Sequence, residues 1–138
     1  MDSIKGYIEI DEALAKSVDF ALRVNGDSMK DAAILDGDLV LIEKRNDAPA
    51  NGQIAAVIVT QMDTKATLKR FYHEGDHIRL EPANDSYPLL IIPKPGSSKA
   101  EIRARYMKTH PKRLIKTYPG EEPQIAGWVK ALIREDAK

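Results

Sequence analysis

Residues 20–43 read FALRVNGDSMKDAAILDGDLVLIE. Phe20-Ala21-Leu22-Arg23-Val24 alternates apolar and polar positions as a strand does. Asn25-Gly26-Asp27 is a turn signal, and Ser28 to Ala33 follows as a short helical turn. Asp36-Gly37-Asp38 turns the chain again and opens Leu39-Val40-Leu41-Ile42-Glu43, a strongly apolar strand. Strand, turn, helical turn, turn, strand is a short-range β unit. It sets the expectation for the rest of the chain.

Outward from it the pattern repeats. Toward the N-terminus, Tyr7-Ile8-Glu9-Ile10 predicts a short edge strand, and Asp11 predicts a cap for a turn of helix through Leu14 and Ala15. Toward the C-terminus, Ile54 to Val59 reads as a buried strand. Gln61 to Lys65 is its polar hairpin tip, and Ala66 to Tyr72 is its partner. His77 to Pro82 alternates again, and Leu89 to Ile92 is a short apolar strand ended by Pro93. Ala100 to Lys108 predicts a short helix. Val129 to Glu135 reads equally as strand or helix. The whole predicts a mostly β fold: a compact antiparallel domain with one or two short helices.

The 138 residues fit one domain, and 43% hydrophobic composition supports a real core. There are no cysteines, so no disulfide framework or Cys-rich metal site is available, and neither metal nor cofactor is expected. No apolar run approaches the roughly 20 residues of a membrane helix, and the N-terminus has no signal-peptide core. A cytoplasmic protein without membrane contact is the expectation. Basic and acidic residues balance at 21 each, whereas a domain that grips DNA alone usually carries a basic excess. One stretch departs from that balance. Lys94, Lys99, Arg103, Arg105, Lys108, Lys112, Arg113 and Lys116 meet only Glu101. This is either a solvated face or a contact surface for an acidic partner or nucleic acid.

Two residues suggest chemistry. Ser28 follows a strand and opens a helical turn, so its hydroxyl sits beside backbone N–H groups able to stabilise an oxyanion. The same pattern describes a helix N-cap serine. Lys69 lies inside a β pattern, on the face it shares with Phe71. Burial there would lower its pKa and make it a general base. The alternative is a lysine that lays its stem on the sheet and keeps its head in water. Lys65 lies in the polar tip, where a solvated lysine is a poor base. His73, His77 and His110 show no triad spacing to Ser28.

Taken together, Arg23-Val24-Asn25-Gly26-Asp27-Ser28-Met29 and Asp36-Gly37-Asp38 resemble the nucleophile region of LexA-type repressors. Thr67-Leu68-Lys69-Arg70 resembles the family's lysine strand, and Leu80-Glu81-Pro82-Ala83-Asn84 its Leu-x-Pro-x-Asn turn. Gly127 to Arg134 resembles the final glycine-led strand. The resemblance covers residues 4–92 and 127–134. It implies a self-cleaving domain with Ser28 as nucleophile, Lys69 as general base, and the Asp27 and Ser28 N–H groups as oxyanion donors. It also implies a homodimer, stimulation by a RecA filament on single-stranded DNA, and DNA contact only through a helix-turn-helix domain upstream.

In this family the scissile bond is usually an Ala-Gly upstream of the nucleophile. Only 27 residues precede Ser28, and they contain no such pair. The expectation is therefore a single catalytic and dimerisation domain over residues 1–138, without its cleavage loop or DNA-binding domain. The stretch at about 94–123 is longer than the family's usual connection. Ala126-Gly127 could be taken for a cleavage site, but a glycine there also fits a tight approach or bulge in the closing strand. The competing expectations are a non-catalytic dimerisation module of a phage-type repressor and a UmuD-like polymerase accessory protein. Signal peptidase uses the same serine–lysine chemistry, and the lack of an anchor segment argues against it.

Overall fold

The computed structural model describes residues 11–62, 65–120 and 122–134. The strand predicted over Tyr7 to Ile10 lies outside them. Asp11 caps the short helix α1 (Glu12–Ala15), its carboxylate accepting from the Ala13 N–H at 2.8 Å. The strands are β1 (Phe20–Arg23), β2 (Leu39–Glu43), β3 (Ile54–Ile58), β4 (Thr67–His73), β5 (His77–Glu81), β6 (Leu89–Pro93), β7 (Ile115–Thr117) and β8 (Gln124–Ile133). A 3-10 turn spans Lys30–Ala32, and helix α2 spans Lys99–Thr109.

All eight strands form one sheet in the order β1-β2-β8-β3-β4-β5-β6-β7. Every neighbouring pair is antiparallel except β6–β7, which is parallel. The mostly antiparallel expectation holds with that exception, and its cause is α2. A parallel neighbour needs a crossover, and α2 supplies one between β6 and β7. The helix begins as the sequence suggests. Ser98 Oγ accepts from the Glu101 N–H at 3.2 Å, and Pro111 follows the C-cap His110.

Three apolar clusters fill the fold. Ala55, Val57, Phe71, Leu80, Leu90 and Ile92 pack between β3 and β6. Met29, Ile34, Val40, Ile42, Ala56 and Leu68 form a second cluster, which includes the residue after Ser28. Leu89, Ile91, Ile102, Tyr106 and Ile115 join α2 to β6 and β7. Strand β6 thus buries alternate residues on both faces, which is why it reads as a continuous apolar run.

Strand β8 lies between β2 and β3 and pairs with both. It starts at Gln124, three residues before the expected glycine. Its register shifts once against each neighbour, at Leu41/Ile42 and at Ala56/Val57. These irregularities break the alternation and explain the ambiguous sequence signal. Ala126-Gly127 lies inside this central strand, with Gly127 paired to Ala56. A bond woven into the sheet on both sides is not offered to a peptidase.

Candidate active site

The turn that carries Ser28 is held by its own hairpin. Val24 lies just past β1 and Asp38 just before β2, and the Val24 N–H donates to the Asp38 carbonyl at 2.8 Å. Gly37 N–H donates to the Val24 carbonyl at 2.8 Å. Gly26 N–H donates to Asp36 Oδ1 at 2.7 Å, and Gly26 has φ 91°, a conformation that glycine adopts without a Cβ penalty. The Asp-Gly-Asp turn therefore has assigned work. Asp36 fixes the bend before Ser28. Asp38 anchors the far end of the chain.

Asp38 is 2% exposed and accepts from the Leu35 N–H at 2.7 Å. Arg134, just past β8, donates to it through Nε at 2.8 Å and Nη2 at 2.7 Å. The Arg134 guanidinium is the main reason the Asp38 carboxyl sits below its ordinary value. A depressed carboxylate stabilises the fold above its unfolded pKa of 3.8, and that contribution is lost as pH falls through the lower folded value. Asp38→Asn is expected to cost about 2 kcal/mol in urea unfolding at neutral pH, because charge-assisted bonds become neutral ones. The deficit should shrink as pH falls below 3.8 toward the lower folded value, where the parent carboxylate itself protonates. A deficit unchanged in acid would assign the cost to packing instead.

Asp27 and Asp31, on either side of Ser28, are braced from across the molecule. Asn84 is buried, and its Nδ2 donates to the Asp27 carbonyl at 2.9 Å. Tyr87 OH donates to Asp27 Oδ1 at 2.7 Å. The Asp31 N–H donates to the Ala83 carbonyl at 2.8 Å. Because a trans peptide sets C=O and N–H in opposite directions, the Asn84 grip on the Asp27 carbonyl also aims the Ser28 N–H. Asn84 was visible in the Leu-Glu-Pro-Ala-Asn motif. Nothing in the sequence singled out Tyr87.

Ser28 is half-buried and lines a cleft of about 250 Å³ with Leu22, Val24, Met29, Lys65, Thr67 and others. Lys69 is 7% exposed, on the β4 face it shares with Phe71, as the alternation predicts. Burial alone pulls its pKa from 10.5 down to about 8. Its Nζ donates to Thr67 Oγ1 at 2.9 Å and to the Leu68 carbonyl at 3.1 Å. Both acceptors belong to residues of the cleft wall. Among the described residues no hydrogen bond joins Ser28 to Lys69. Lys69 does not itself line the serine's cleft, but it is bonded to two residues that do. Lys65 is exposed, as expected of the hairpin tip, but it also lines the cleft.

The model of the Peptidase S24-like family matches residues 1–107. The chain belongs to that family. Among curated relatives of this Peptidase S24-like domain, the LexA repressor of Geobacter metallireducens is 47% identical over 92 residues, 67% of this chain and 44% of the relative. The LexA repressor of Clostridium kluyveri is 49% identical over 92 residues, 67% of this chain and 39% of the relative. LexA repressor 1 of Geobacter sulfurreducens is 39% identical over 102 residues, 74% of this chain and 48% of the relative. The chain is a domain of the LexA C-terminal type and spans less than half the length of these relatives. The family match ends within α2, so β7, β8 and the turn before β7 lie beyond it.

His77 is the one buried histidine among the described residues. Its Nδ1 lies 2.6 Å from Asp76 Oδ1 and its Nε2 2.6 Å from Tyr106 OH, joining β5 to α2. It lines none of the Ser28 cleft. No cluster of potential metal ligands occurs among the described residues, and no described helix is long and apolar enough to cross a membrane.

Proposed function

We propose that this domain is a serine–lysine peptidase that cuts a peptide bond of its own polypeptide, within a LexA-like repressor. The observation that carries the reading is Lys69: a buried lysine with a pKa near 8, bonded to the wall of the cleft that holds Ser28. A lysine so placed is neutral in a useful fraction of molecules near neutral pH, which is what a general base requires. Deprotonation turns one N–H into a lone pair able to accept the Ser28 proton, while the two remaining N–H groups suffice for Thr67 and Leu68.

In the reaction, Ser28 Oγ attacks the carbonyl carbon while its proton passes to Lys69 Nζ. The Asp27 and Ser28 N–H groups take the developing oxyanion. As the intermediate collapses the C–N bond breaks, and Lys69 returns the proton to the leaving amine. A water activated by the same amine then releases the acyl group from Ser28.

Within the same reading, the domain works as a homodimer in the cytoplasm. A RecA filament on single-stranded DNA stimulates the cut, and DNA is held by a separate helix-turn-helix domain. Cleavage would part the DNA-binding half from the dimer and remove the avidity that holds it on its operator.

The test is cleavage in trans. A peptide bearing an Ala-Gly repressor loop is incubated with the domain from about pH 6 to about pH 10. The rate should rise with the neutral fraction of Lys69 and reach half its plateau near pH 8. A peptide left intact across that range would overturn the peptidase reading. It would favour the second one, a dimerisation module whose lysine stays bonded to Thr67 and Leu68 as it is here.

A further inference from the structure

The segment that follows α2 reaches back to the nucleophile turn through a short chain of contacts. Arg113 precedes β7, beyond the part of the chain matched by the family model. Its side chain is only 9% exposed. Arg113 Nε donates to the Tyr87 carbonyl at 3.2 Å. Its Nη1 lies 3.4 Å from Asp85 Oδ1 and 3.8 Å from Glu81 Oε1. The guanidinium therefore grips the 84–88 loop at two residues and the end of β5 at a third. One carbonyl is gripped directly.

The other side of the same loop grips Asp27, the residue before Ser28. Tyr87 OH donates to Asp27 Oδ1, and Asn84 Nδ2 donates to the Asp27 carbonyl. The loop is internally tied as well. Tyr87 N–H donates to the Asn84 carbonyl at 3.0 Å, and Ser86 N–H donates to Asn84 Oδ1 at 3.0 Å. Tyr87 is thus held at its backbone by Arg113 and spends its hydroxyl on Asp27. A loop with few apolar contacts depends on such polar ties for a single conformation.

We propose that Arg113 is a positioning residue for the Ser28 reaction: through Tyr87 and Asn84 it fixes the Asp27–Ser28 peptide, and so the aim of the Ser28 N–H and hydroxyl. This rests on the peptidase reading above. The guanidinium touches no reacting atom. Its effect reaches the site because an oxyanion donor must point where charge develops, and a small misplacement is costly. The α2 and β7 segment then does more than lengthen the sheet. It carries a residue on which the geometry of the site depends.

The test compares the unmutated domain with Arg113→Gln, Tyr87→Phe and the double variant in the trans-cleavage assay, with Ser28→Ala as the blank. Each single change is expected to lower kcat about ten-fold with little change in KM. The rate midpoint should stay near pH 8, because neither residue touches Lys69. The double variant should lose about ten-fold, not the hundred-fold product, because both changes cut one chain of contacts. Amide hydrogen exchange at residues 26–29 should quicken in all three. Unchanged kcat in the folded single variants, or losses that multiply, would overturn the proposal. If Arg113→Gln does not fold, Arg113→Met takes its place, since it keeps the apolar stem and removes the donor to the Tyr87 carbonyl, and an unchanged kcat there overturns the proposal. If the unmutated domain cuts nothing, the peptidase reading fails by itself. Exchange at 26–29 then decides whether Arg113 orders the turn, and unchanged exchange overturns that too.

Discussion

Ser28→Ala and Lys69→Met should each lower trans cleavage by a factor on the order of 10³ or more, and Lys69→Met should at the same time make the fold more stable at neutral pH. The first half follows from the proposed roles: without the hydroxyl no acyl intermediate can form, and without the amine the serine keeps its proton. The second half follows from burial. Below about pH 8 Lys69 is protonated in both folded and unfolded chains, so folding bears the full cost of taking an ammonium out of water. Between about pH 8 and 10.5 the unfolded chain holds a proton the folded one lacks, and stability rises with pH. Above 10.5 the cost is gone. The shift from 10.5 to about 8 corresponds to about 3 kcal/mol. Two hydrogen bonds, to Thr67 and Leu68, offset part of it at about 1 kcal/mol each. Lys69→Met should therefore gain about 1 kcal/mol at pH 7 in urea unfolding, and the gain should vanish or reverse near pH 10. A variant equally destabilised at both pH values would mean that Lys69 carries no desolvation cost. It would also remove the physical basis for its role as a base.

The sequence was legible wherever alternation or a turn carried the information locally. The strands from Phe20 to Ile92 and the helix after Ser98 fall within a residue or two of their expected places. Strand β7 was not legible. It has three residues, of which only Ile115 is buried, and its parallel pairing exists because α2 delivers it to β6. The burial of Lys69 was one of two readings of the sequence: its place two residues before Phe71 put it on an apolar face, but the same pattern fits a lysine whose head stays in water. The partners of its ammonium were half-legible: Thr67 shares its face by the same period of two, but nothing local says that a backbone carbonyl completes the pair. The braces on Asp27 were out of reach. Tyr87 lies sixty residues away along the chain, and its role depends on which loop the sheet order brings beside the turn that carries Ser28.

Gly127→Ala should unfold the protein at markedly lower urea or temperature, by about 3 kcal/mol, although it adds only one methyl group. A Cβ at that position would lie 2.3 Å from Ile42 Cγ2 and 2.4 Å from the Glu43 carbonyl oxygen. A side-chain methyl can rotate or shift. The Glu43 carbonyl cannot, because it belongs to β2, which pairs with β8 through Glu43 and Trp128. The strands must part to admit the new atom, and β8 is the strand that joins β2 to β3. Trimming the other neighbour should therefore give no rescue: Ile42→Ala with Gly127→Ala should be no more stable than Gly127→Ala alone, since it adds a cavity and leaves the carbonyl in place. Recovery in the double variant would show that the methyl contact, not the backbone, sets the limit. The site should feel the same change. Strand β8 ends one residue before Arg134, whose guanidinium anchors Asp38 and with it the turn that presents Ser28. Below the unfolding transition, cleavage by Gly127→Ala should thus fall further than its folded fraction alone predicts, with the midpoint near pH 8 unmoved because Lys69 lies on another strand.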